Sequence, residues 1–188
     1  EEKKRGMSID LGFAYQLLEN GRTLGFVDVP GHEKFIKNML AGVTGIDFAM
    51  LIIAADDGPM PQTVEHLAIL DLLGVSEGIV ALTKIDRVGA ERLREVMIEI
   101  SNTIEGTCFE KSDIFPVSAT TSDGVREIRE HLETMSDLLG NPPLTGNFRL
   151  AIDRSFTVPG AGLVVTGSVY SGKVSVGDNL ILSPQGTH

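Results

Sequence analysis

The stretch that decides the fold is FAMLIIAADDGPMPQTVEHLAILDLLGVSEGIVALT, residues 48–83. It opens with a continuous apolar run over residues 48–55, which is typical of a strand buried in a parallel sheet. A proline in the first turn and Gly74 just past the end then delimit a helix over Pro61–Leu73. A second apolar run, at residues 79–83, predicts another buried strand. Alternating strands and helices indicate a parallel sheet that helices cover on both faces.

The same alternation continues in both directions from this stretch. Upstream, Asn20-Gly21 lies between two segments rich in strand-forming residues and predicts an antiparallel hairpin with a tight type I′ turn. Apolar spacing predicts the other elements, which are strands over residues 12–18, 23–29 and 114–117 and helices over residues 32–43, 91–104 and 125–139. The sequence therefore predicts an α/β domain with a doubly wound, mostly parallel sheet.

A change of pattern marks a second domain. Gly140-Asn141-Pro142-Pro143 is a stiff, helix-breaking segment. After it there is no helical periodicity, and strand-like segments alternate with glycine turns over residues 148–158, 163–170 and 179–182. We therefore assign residues 1–140 to the α/β domain, residues 141–147 to a linker, and residues 148–188 to the start of a β-barrel domain that stops before the barrel could close.

Composition excludes several classes of protein. Apolar residues make up 42% of the chain and charged residues 22%, as in a globular protein that buries a core. No apolar run approaches the roughly 20 residues that span a bilayer, and the charged N-terminal residues are unlike a signal peptide. The single cysteine, Cys108, excludes an internal disulfide framework and suits a reducing cytoplasm. The net charge of −10 argues against indiscriminate nucleic-acid binding, but it leaves room for a local basic patch that meets one structured RNA.

Candidate phosphate-binding residues follow the predicted strand at residues 23–29. Ligands of a doubly wound sheet bind at the carboxyl ends of its strands. There Asp28 could hold a hydrated Mg²⁺ beside a triphosphate, and the backbone N–H of Gly31 could reach the terminal phosphate. The imidazole of His32 could orient an attacking water. Taken alone, so short a motif is more often an ordinary strand-to-helix turn.

Candidate guanine-binding residues follow the next two strand ends. Guanine presents a ring N–H and an exocyclic amine side by side, and the carboxylate of Asp86 could accept from both. Adenine would leave that charged group unpaired, which costs roughly 1–3 kcal/mol or more. Lys84 could lay its methylene stem over the purine, and the backbone N–H of Ala119 could bind the guanine carbonyl oxygen. Alone, these residues could be a surface Lys/Asp pair, but all the motifs occur in order at the correct sheet edge, which favours a nucleotide site.

Together these motifs resemble those of the translational GTPases. Residues 5–9, Arg-Gly-Met-Ser-Ile, are similar to the family's first switch, whose hydroxyl residue, here Ser8, ligates Mg²⁺ and senses the terminal phosphate. Residues 28–32 resemble the second switch, in which the histidine positions the hydrolytic water. The guanine-specificity segments of the family resemble Thr83, Lys84 and Asp86 and the segment Ser118, Ala119 and Thr120, and residues 57–66 are also similar to these factors.

Two phrases resemble the bacterial branch of this family that is specific for selenocysteine: EEKKRGMSIDLG at residues 1–12 and RLAIDRSFTV at residues 149–158. The resemblance implies a cytoplasmic GTPase that binds GTP, GDP and Mg²⁺ and delivers selenocysteinyl-tRNA to ribosomes paused at a recoded stop codon. It also implies that further domains bind a hairpin in the messenger RNA. An initiation factor that binds initiator tRNA shares the order of the motifs but matches the two phrases less well.

The chain departs from the family pattern in three places. Ser8 replaces the usual threonine, Thr83 stands where many GTPases have asparagine, and residues 1–188 contain no Gly-x-x-x-x-Gly-Lys-[Ser/Thr] phosphate loop. From the resemblance we expect a sheet without its first strand. Such a sheet either pairs the strand ending at Asp28 with the one ending near Ala55 or takes a strand from another molecule.

The missing phosphate loop also leads us to expect weak or no binding of GTP and GDP by these residues alone, and no hydrolysis. A GTPase-like module that does not bind nucleotide is the alternative to an active GTPase.

Overall fold

The structure, a computed structural model, describes residues 11–36, 39–40, 46–139 and 145–184. The chain divides into two units, Glu1–Gly140 and Asn141–His188. The strands described in the first unit are β1 (Gly12–Leu17), β2 (Thr23–Asp28), β3 (Ala49–Ala54), β4 (Gly78–Thr83) and β5 (Ile114–Pro116). The α-helices described in full in that unit are α1 (Pro61–Leu73), α2 (Ala90–Ile104) and α3 (Val125–Leu139). In the second unit the strands are β6 (Arg149–Val158) and β7 (Gly162–Ser171).

Strands β3, β4 and β5 form a parallel sheet in that order, as the alternating sequence pattern predicts. β3 and β4 pair in register from Ala49 opposite Gly78 to Ala54 opposite Thr83. Their carboxyl ends therefore lie side by side at one edge of the sheet. β4 is the central strand, and its residues 79–82 are at most 2% exposed.

Helices α1 and α2 bury one face of this sheet. The helical spacing that predicts α2 places Val96 and Ile100 on its inner side, and both are fully buried. α1 ends at Gly74 in the left-handed conformation, φ 71°, as expected of a C-terminal glycine. The buried core contains Leu67 and Leu70 from α1, Val96, Ile100 and Ile104 from α2, and Leu51, Ile53, Val80 and Leu82 from the sheet.

The prediction that β3 is buried on both faces is wrong. Its residues alternate, because Leu51 and Ile53 are 8% and 2% exposed whereas Ile52 is 57% exposed. β3 is an edge strand of the described sheet and pairs only with β4. On its second face Ile52 is exposed and Met50 and Ala54 are half-buried, despite the apolar sequence.

Strands β1 and β2 form the predicted antiparallel hairpin, with Gly12 opposite Asp28, but the predicted turn type is wrong. A type I′ turn needs positive φ at both central residues, and here only Gly21 has one, at 80°. The N–H of Gly21 donates to the carbonyl of Leu18 at 3.1 Å. The side chain of Asn20 accepts a hydrogen bond from the N–H of Arg22 at 3.0 Å, and this local bond stabilises the alternative turn.

The hairpin is a separate two-stranded sheet. Of the two expected arrangements, pairing of β2 with β3 is not seen among the described residues, and a strand supplied by another molecule stays a prediction. The hairpin turn is instead fixed to the end of α3. Asn20 Nδ2 donates to Asp137 Oδ1 at 3.0 Å, and Arg22 donates to the carbonyl of Ser136.

Two predicted elements differ from the structure or lie partly outside it. In the predicted helix at residues 32–43, Glu33–Phe35 form a 3-10 turn and Met39 and Leu40 are helical, while residues 37–38 and 41–43 lie outside the described residues. In the second unit β6 and β7 pair antiparallel. The predicted strand at residues 179–182 is wrong, because in the described part of the chain this segment forms only an isolated bridge at Leu182 and no continuous ladder. None of the described helices combines the length and the apolar character needed to cross a membrane.

Candidate functional site

The carboxyl end of β4 turns sharply at Lys84. Its backbone adopts φ 58° and ψ 32°, a left-handed conformation that is uncommon for a residue other than glycine. A 3-10 turn, Ile85–Arg87, follows directly. Thr83 just before it donates its hydroxyl to the carbonyl of Ile53 at 3.3 Å, so this side chain ties the end of β4 to the end of β3.

The turn brings Asp86 to the segment after β5. Ser118 is fully buried, and its hydroxyl donates to Asp86 Oδ1 at 2.5 Å, the length expected of a hydroxyl bound to a carboxylate. The same hydroxyl oxygen accepts hydrogen bonds from the N–H groups of Thr120 and Thr121, each at 3.2 Å. The amide N–H of Ile85 also donates to the carbonyl of Val117, at 3.4 Å. Asp86 is thus held in place by a buried side chain.

The atoms proposed to meet guanine are left open by this arrangement. Among the described residues, Asp86 Oδ2 has no hydrogen-bond partner, since the only bond of this side chain goes through Oδ1. Ala119 is exposed, and its N–H makes no hydrogen bond to any described residue. Both residues are exposed, so one acceptor oxygen and one donor N–H near the buried Ser118 have no partner among the described residues.

A cluster of charges joins the ends of β3 and β4. Lys84 Nζ lies 3.1 Å from Asp56 Oδ1 and 3.2 Å from Oδ2, and 3.8 Å from Asp57 Oδ2. Arg87 NH1 lies 3.5 Å from Asp56 Oδ2. The hydrogen bond from Lys84 lowers the pKa of Asp56, with the charges of Lys84 and Arg87 acting in the same direction and its partial desolvation opposing them. Sequence reasoning missed Asp56, although two aspartates directly after a buried strand were a signal.

The second candidate segment follows β2. Asp28 ends the strand, and its carboxylate has no hydrogen bond or ion pair with any described residue. His32 Nδ1 accepts a hydrogen bond from the N–H of Lys34 at 3.2 Å, so in the neutral imidazole the proton lies on Nε2. The ring packs edge-on against Phe35, with centroids 6.0 Å apart. His32 therefore presents a donor N–H, suited to orienting a water, rather than a free acceptor that could take its proton.

Gly31 lies beside α1, at a cleft of about 240 Å³. A Cβ at Gly31 would lie 3.9 Å from His66 Cε1. Burial lowers the pKa of His66, against the opposing charge of Glu65 and a hydrogen bond to the backbone of Gly31. Sequence reasoning did not single out His66, because one histidine on a helix carries no pattern of its own. The cleft is also lined by Ile52, Asp57, Gly58 and Gln62.

The predicted residues thus fall into two groups. The first group lies at the ends of β4 and β5 and contains Thr83, Lys84, Asp86, Ser118, Ala119 and Thr120. Asp28, Gly31 and His32 lie in the segment after β2, and no described hydrogen bond or ion pair joins them to the first group. Ser8 lies outside the described residues. In the part of the chain that the structure describes, no group of three or more acidic, histidine or cysteine side chains could hold a metal by itself.

Comparison with known proteins gives a consistent set of relatives. Residues 1–138 match the family model of the elongation factor Tu GTP-binding domain. The selenocysteine-specific elongation factor of Escherichia coli (strain K12) is 53% identical over 183 residues, which are 97% of this chain and 30% of that protein. The chain therefore spans less than a third of the length of this relative.

Two solved structures are similar. The crystal structure of a bacterial selenocysteine-specific elongation factor, EF-Sec, matches with a TM-score of 0.90 and 36% identity over 99% of this chain and 32% of that one. Elongation factor SelB from Methanococcus maripaludis, in complex with the GTP analogue GppNHp, matches with a TM-score of 0.84 and 33% identity over 95% of this chain and 39% of that one. Since the family model covers residues 1–138 of the 188, the chain belongs to the translational GTPases that carry an elongation factor Tu GTP-binding domain.

Proposed function

We propose that this chain forms the guanine-binding part of a GTP-hydrolysing elongation factor that delivers selenocysteinyl-tRNA to the ribosome. The observation that carries the nucleotide assignment is Asp86, held through Oδ1 by the buried hydroxyl of Ser118 at 2.5 Å while Oδ2 remains open. The tRNA assignment is supported by the 53% identity to the selenocysteine-specific factor of Escherichia coli.

The specificity for guanine follows from the chemistry of this donor set. Asp86 accepts from the ring N–H and the exocyclic amine of guanine, and the N–H of Ala119 donates to the guanine carbonyl oxygen. Adenine offers an acceptor where guanine has its N–H, so Asp86 would face a lone pair without a proton between them. An unsatisfied charged group of this kind costs about 1–3 kcal/mol or more. The stem of Lys84 covers the purine ring.

The end of β2 and the segment after it bind the phosphates and Mg²⁺. A Mg²⁺ ion bound to nucleotide keeps several waters and needs only one or two protein oxygens, which fits the unpaired carboxylate of Asp28, with Ser8 as the second oxygen. The metal neutralises charge on the phosphates when bound. The backbone N–H of Gly31 binds the terminal phosphate.

His32 orients the water that attacks the terminal phosphorus. The water oxygen forms the new bond to phosphorus, the bond from phosphorus to the bridging oxygen of GDP breaks, and one proton of the water passes to an oxygen of the transferred phosphate, so the products are GDP and inorganic phosphate. Because Nδ1 of His32 accepts from the backbone at 3.2 Å, Nε2–H donates to the water oxygen and holds its lone pair toward the phosphorus.

The domain organisation supports the same proposal. Residues 1–140 form the nucleotide-binding domain, a doubly wound, mostly parallel sheet that lacks its first strand within these residues. Residues 141–147 form a linker, and residues 148–188 begin a β-barrel domain. Contacts with aminoacyl-tRNA, the ribosome and a messenger hairpin involve these and further domains.

A two-part titration tests the proposal. In a full-length protein that contains this sequence, GDP should bind at least 100-fold more tightly than ADP, which is the roughly 2.7 kcal/mol expected for an unpaired carboxylate. In the GTP-bound protein, selenocysteinyl-tRNA should bind more tightly than seryl-tRNA carrying the same tRNA body. Equal affinity for GDP and ADP would remove the guanine assignment. Equal affinity for the two aminoacyl-tRNAs would instead favour an elongation or initiation factor of other specificity.

A further inference from the structure

We infer that Asp56 is a positioning residue for the nucleotide site, which fixes the side chain of Lys84 before the base arrives. The inference rests on the proposed function, because it concerns how Lys84 covers a purine. Asp56 lies in neither guanine-specificity segment and has no role in the sequence analysis.

The backbone places the two side chains together. β3 and β4 pair to their last residues, Ala54 opposite Thr83, and the N–H of Ala55 then donates to the carbonyl of Thr83 at 2.8 Å. Asp56 and Lys84 therefore leave adjacent strands at the same edge of the sheet. Both carboxylate oxygens of Asp56 lie within 3.2 Å of Lys84 Nζ.

This pair does little for the stability of the fold. The side chains of Lys84 and Asp56 are 40% and 30% exposed, and ion pairs open to solvent contribute little to folding. The ion pair does restrict the side chain of Lys84, however. Lysine has four rotatable bonds, and anchoring the ammonium to Asp56 directs the methylene stem from the end of β4 toward the end of β3.

The anchored stem lies at the edge of the sheet where a nucleotide is expected. Ligands of parallel sheets lie across the carboxyl ends of the strands, and the anchored stem lies along this edge. A free lysine loses rotamer freedom when it is laid on a ring, whereas a side chain already held in place loses less, which strengthens binding. The backbone of Lys84 is also restricted, because it lies in the left-handed conformation. Arg87 also helps to hold the carboxylate of Asp56, because its NH1 lies 3.5 Å from Oδ2.

The test measures dissociation of a fluorescent GDP from the full-length protein that contains this sequence. Asp56→Asn should speed dissociation by about 3- to 10-fold, from the side-chain freedom regained by one lysine, with little change in the melting temperature. Asp56→Glu should restore most of the slow rate. The matched control is Asp47→Asn, which removes a carboxylate at the opposite end of β3 and should leave the rate unchanged.

A double-mutant cycle identifies the route of the effect. In a Lys84→Met background the stem remains but the ammonium is gone, so adding Asp56→Asn should change nothing further. The effect should also be equal for GDP and IDP, because Asp86 and not Lys84 reads the exocyclic amine. An additive effect in the cycle, or a change in the ratio of GDP to IDP, would overturn the inference.

Failure of the inference is distinguishable from failure of the proposed function. If the unsubstituted protein binds GDP and loses it when Asp86 is replaced, the nucleotide site stands. An unchanged rate in Asp56→Asn then contradicts only the role of Asp56. A protein that binds no GDP at all contradicts the proposed function itself.

Discussion

At the level of single residues, the groups proposed to bind nucleotide lie at or just after the ends of strands. The sequence located Thr83, Lys84 and Asp86 because a short polar motif after a buried strand points to a sheet edge. It could not locate Asp56 as the partner of Lys84, since that contact depends on the register between β3 and β4. The brace between Ser118 and Asp86 likewise depends on which strands are neighbours.

The role of Asp86 can be tested by exchanging the base. Asp86→Asn in a full-length protein that contains this sequence should weaken GDP binding and shift preference toward XDP, because xanthine has a carbonyl where guanine has its amine and can accept from an amide. Competition titrations with the two nucleotides measure the shift. The matched control is Asp113→Asn, at the opposite end of β5, which should leave both affinities unchanged. If GDP affinity is unaltered in Asp86→Asn, this residue does not contact the base.

His32 should affect turnover far more than binding. In the same full-length protein, His32→Ala removes the N–H that orients water and should slow ribosome-stimulated GTP hydrolysis by about 10²–10⁴-fold. Single-turnover hydrolysis on ribosomes measures this effect, and GDP titration serves as the internal control, since the residue does not touch the base. Normal turnover combined with a large loss of affinity would assign His32 to binding.

Cys108 should be an unreactive thiol. Desolvation and, to a lesser extent, the neighbouring Asp71 raise the pKa of Cys108 from 9.0 to about 11. A difference of about two units leaves about 100-fold less thiolate at pH 8, so iodoacetamide should modify the folded chain about 100-fold more slowly than the urea-unfolded chain. Because the pKa is higher in the folded state, the thiol should also disfavour folding progressively from about pH 9 to about pH 11. Equal modification rates would show that the thiol is solvated.

At the level of elements, the strands and helices with strong local signals were predictable and their environment was not. The predicted helix over Pro61–Leu73 is confirmed. It was predictable because a proline and a glycine mark its two ends in the sequence. The wrong expectations share a different cause. Ile52 belongs to an apolar run but lies on an exposed face, and residues 179–182 favour a strand but lack a ladder partner. Local sequence determines whether an element can form, whereas the neighbouring chain determines whether it is covered or paired.

Gly124 provides a test at this level, in the turn from β5 to α3. It has φ 72°, and a Cβ there would clash with the carbonyl of Pro116 and the side chain of Val117. Gly106 is the matched control, with φ 73° and nothing within 4 Å of its Cβ position. Gly106→Ala should cost about 1 kcal/mol from the backbone alone, and Gly124→Ala about 1–3 kcal/mol more. Urea denaturation measures both, and equal losses would show that the turn relaxes to admit the methyl group.

At the level of the whole molecule, the described residues supply only part of the proposed nucleotide site. On the proposed guanine side Asp86 is held by the buried Ser118, whereas the proposed phosphate side offers the carboxylate of Asp28 and the backbone of Gly31. Residues 1–188 contain no Gly-x-x-x-x-Gly-Lys-[Ser/Thr] sequence, which in other proteins supplies the lysine and the N–H groups that bind phosphates.

The isolated 188-residue chain should therefore bind GDP more weakly than micromolar and should not hydrolyse GTP. Among the described residues β3 pairs only with β4, which leaves its other edge without a partner, and such edges recruit strands from other molecules. Calorimetric titration measures GDP binding, phosphate release measures GTP hydrolysis and sedimentation measures self-association, with the full-length protein as the control. Micromolar or tighter binding by a clean monomer would contradict this prediction.

Because the backbone of Lys84 is left-handed, selection for stability and selection for nucleotide binding should favour different residues at this position. Glycine or asparagine would adopt φ 58° with less strain, yet neither has a stem that could cover a base. Random libraries screened only for thermal resistance should therefore replace this lysine early, and libraries screened for nucleotide retention should keep it.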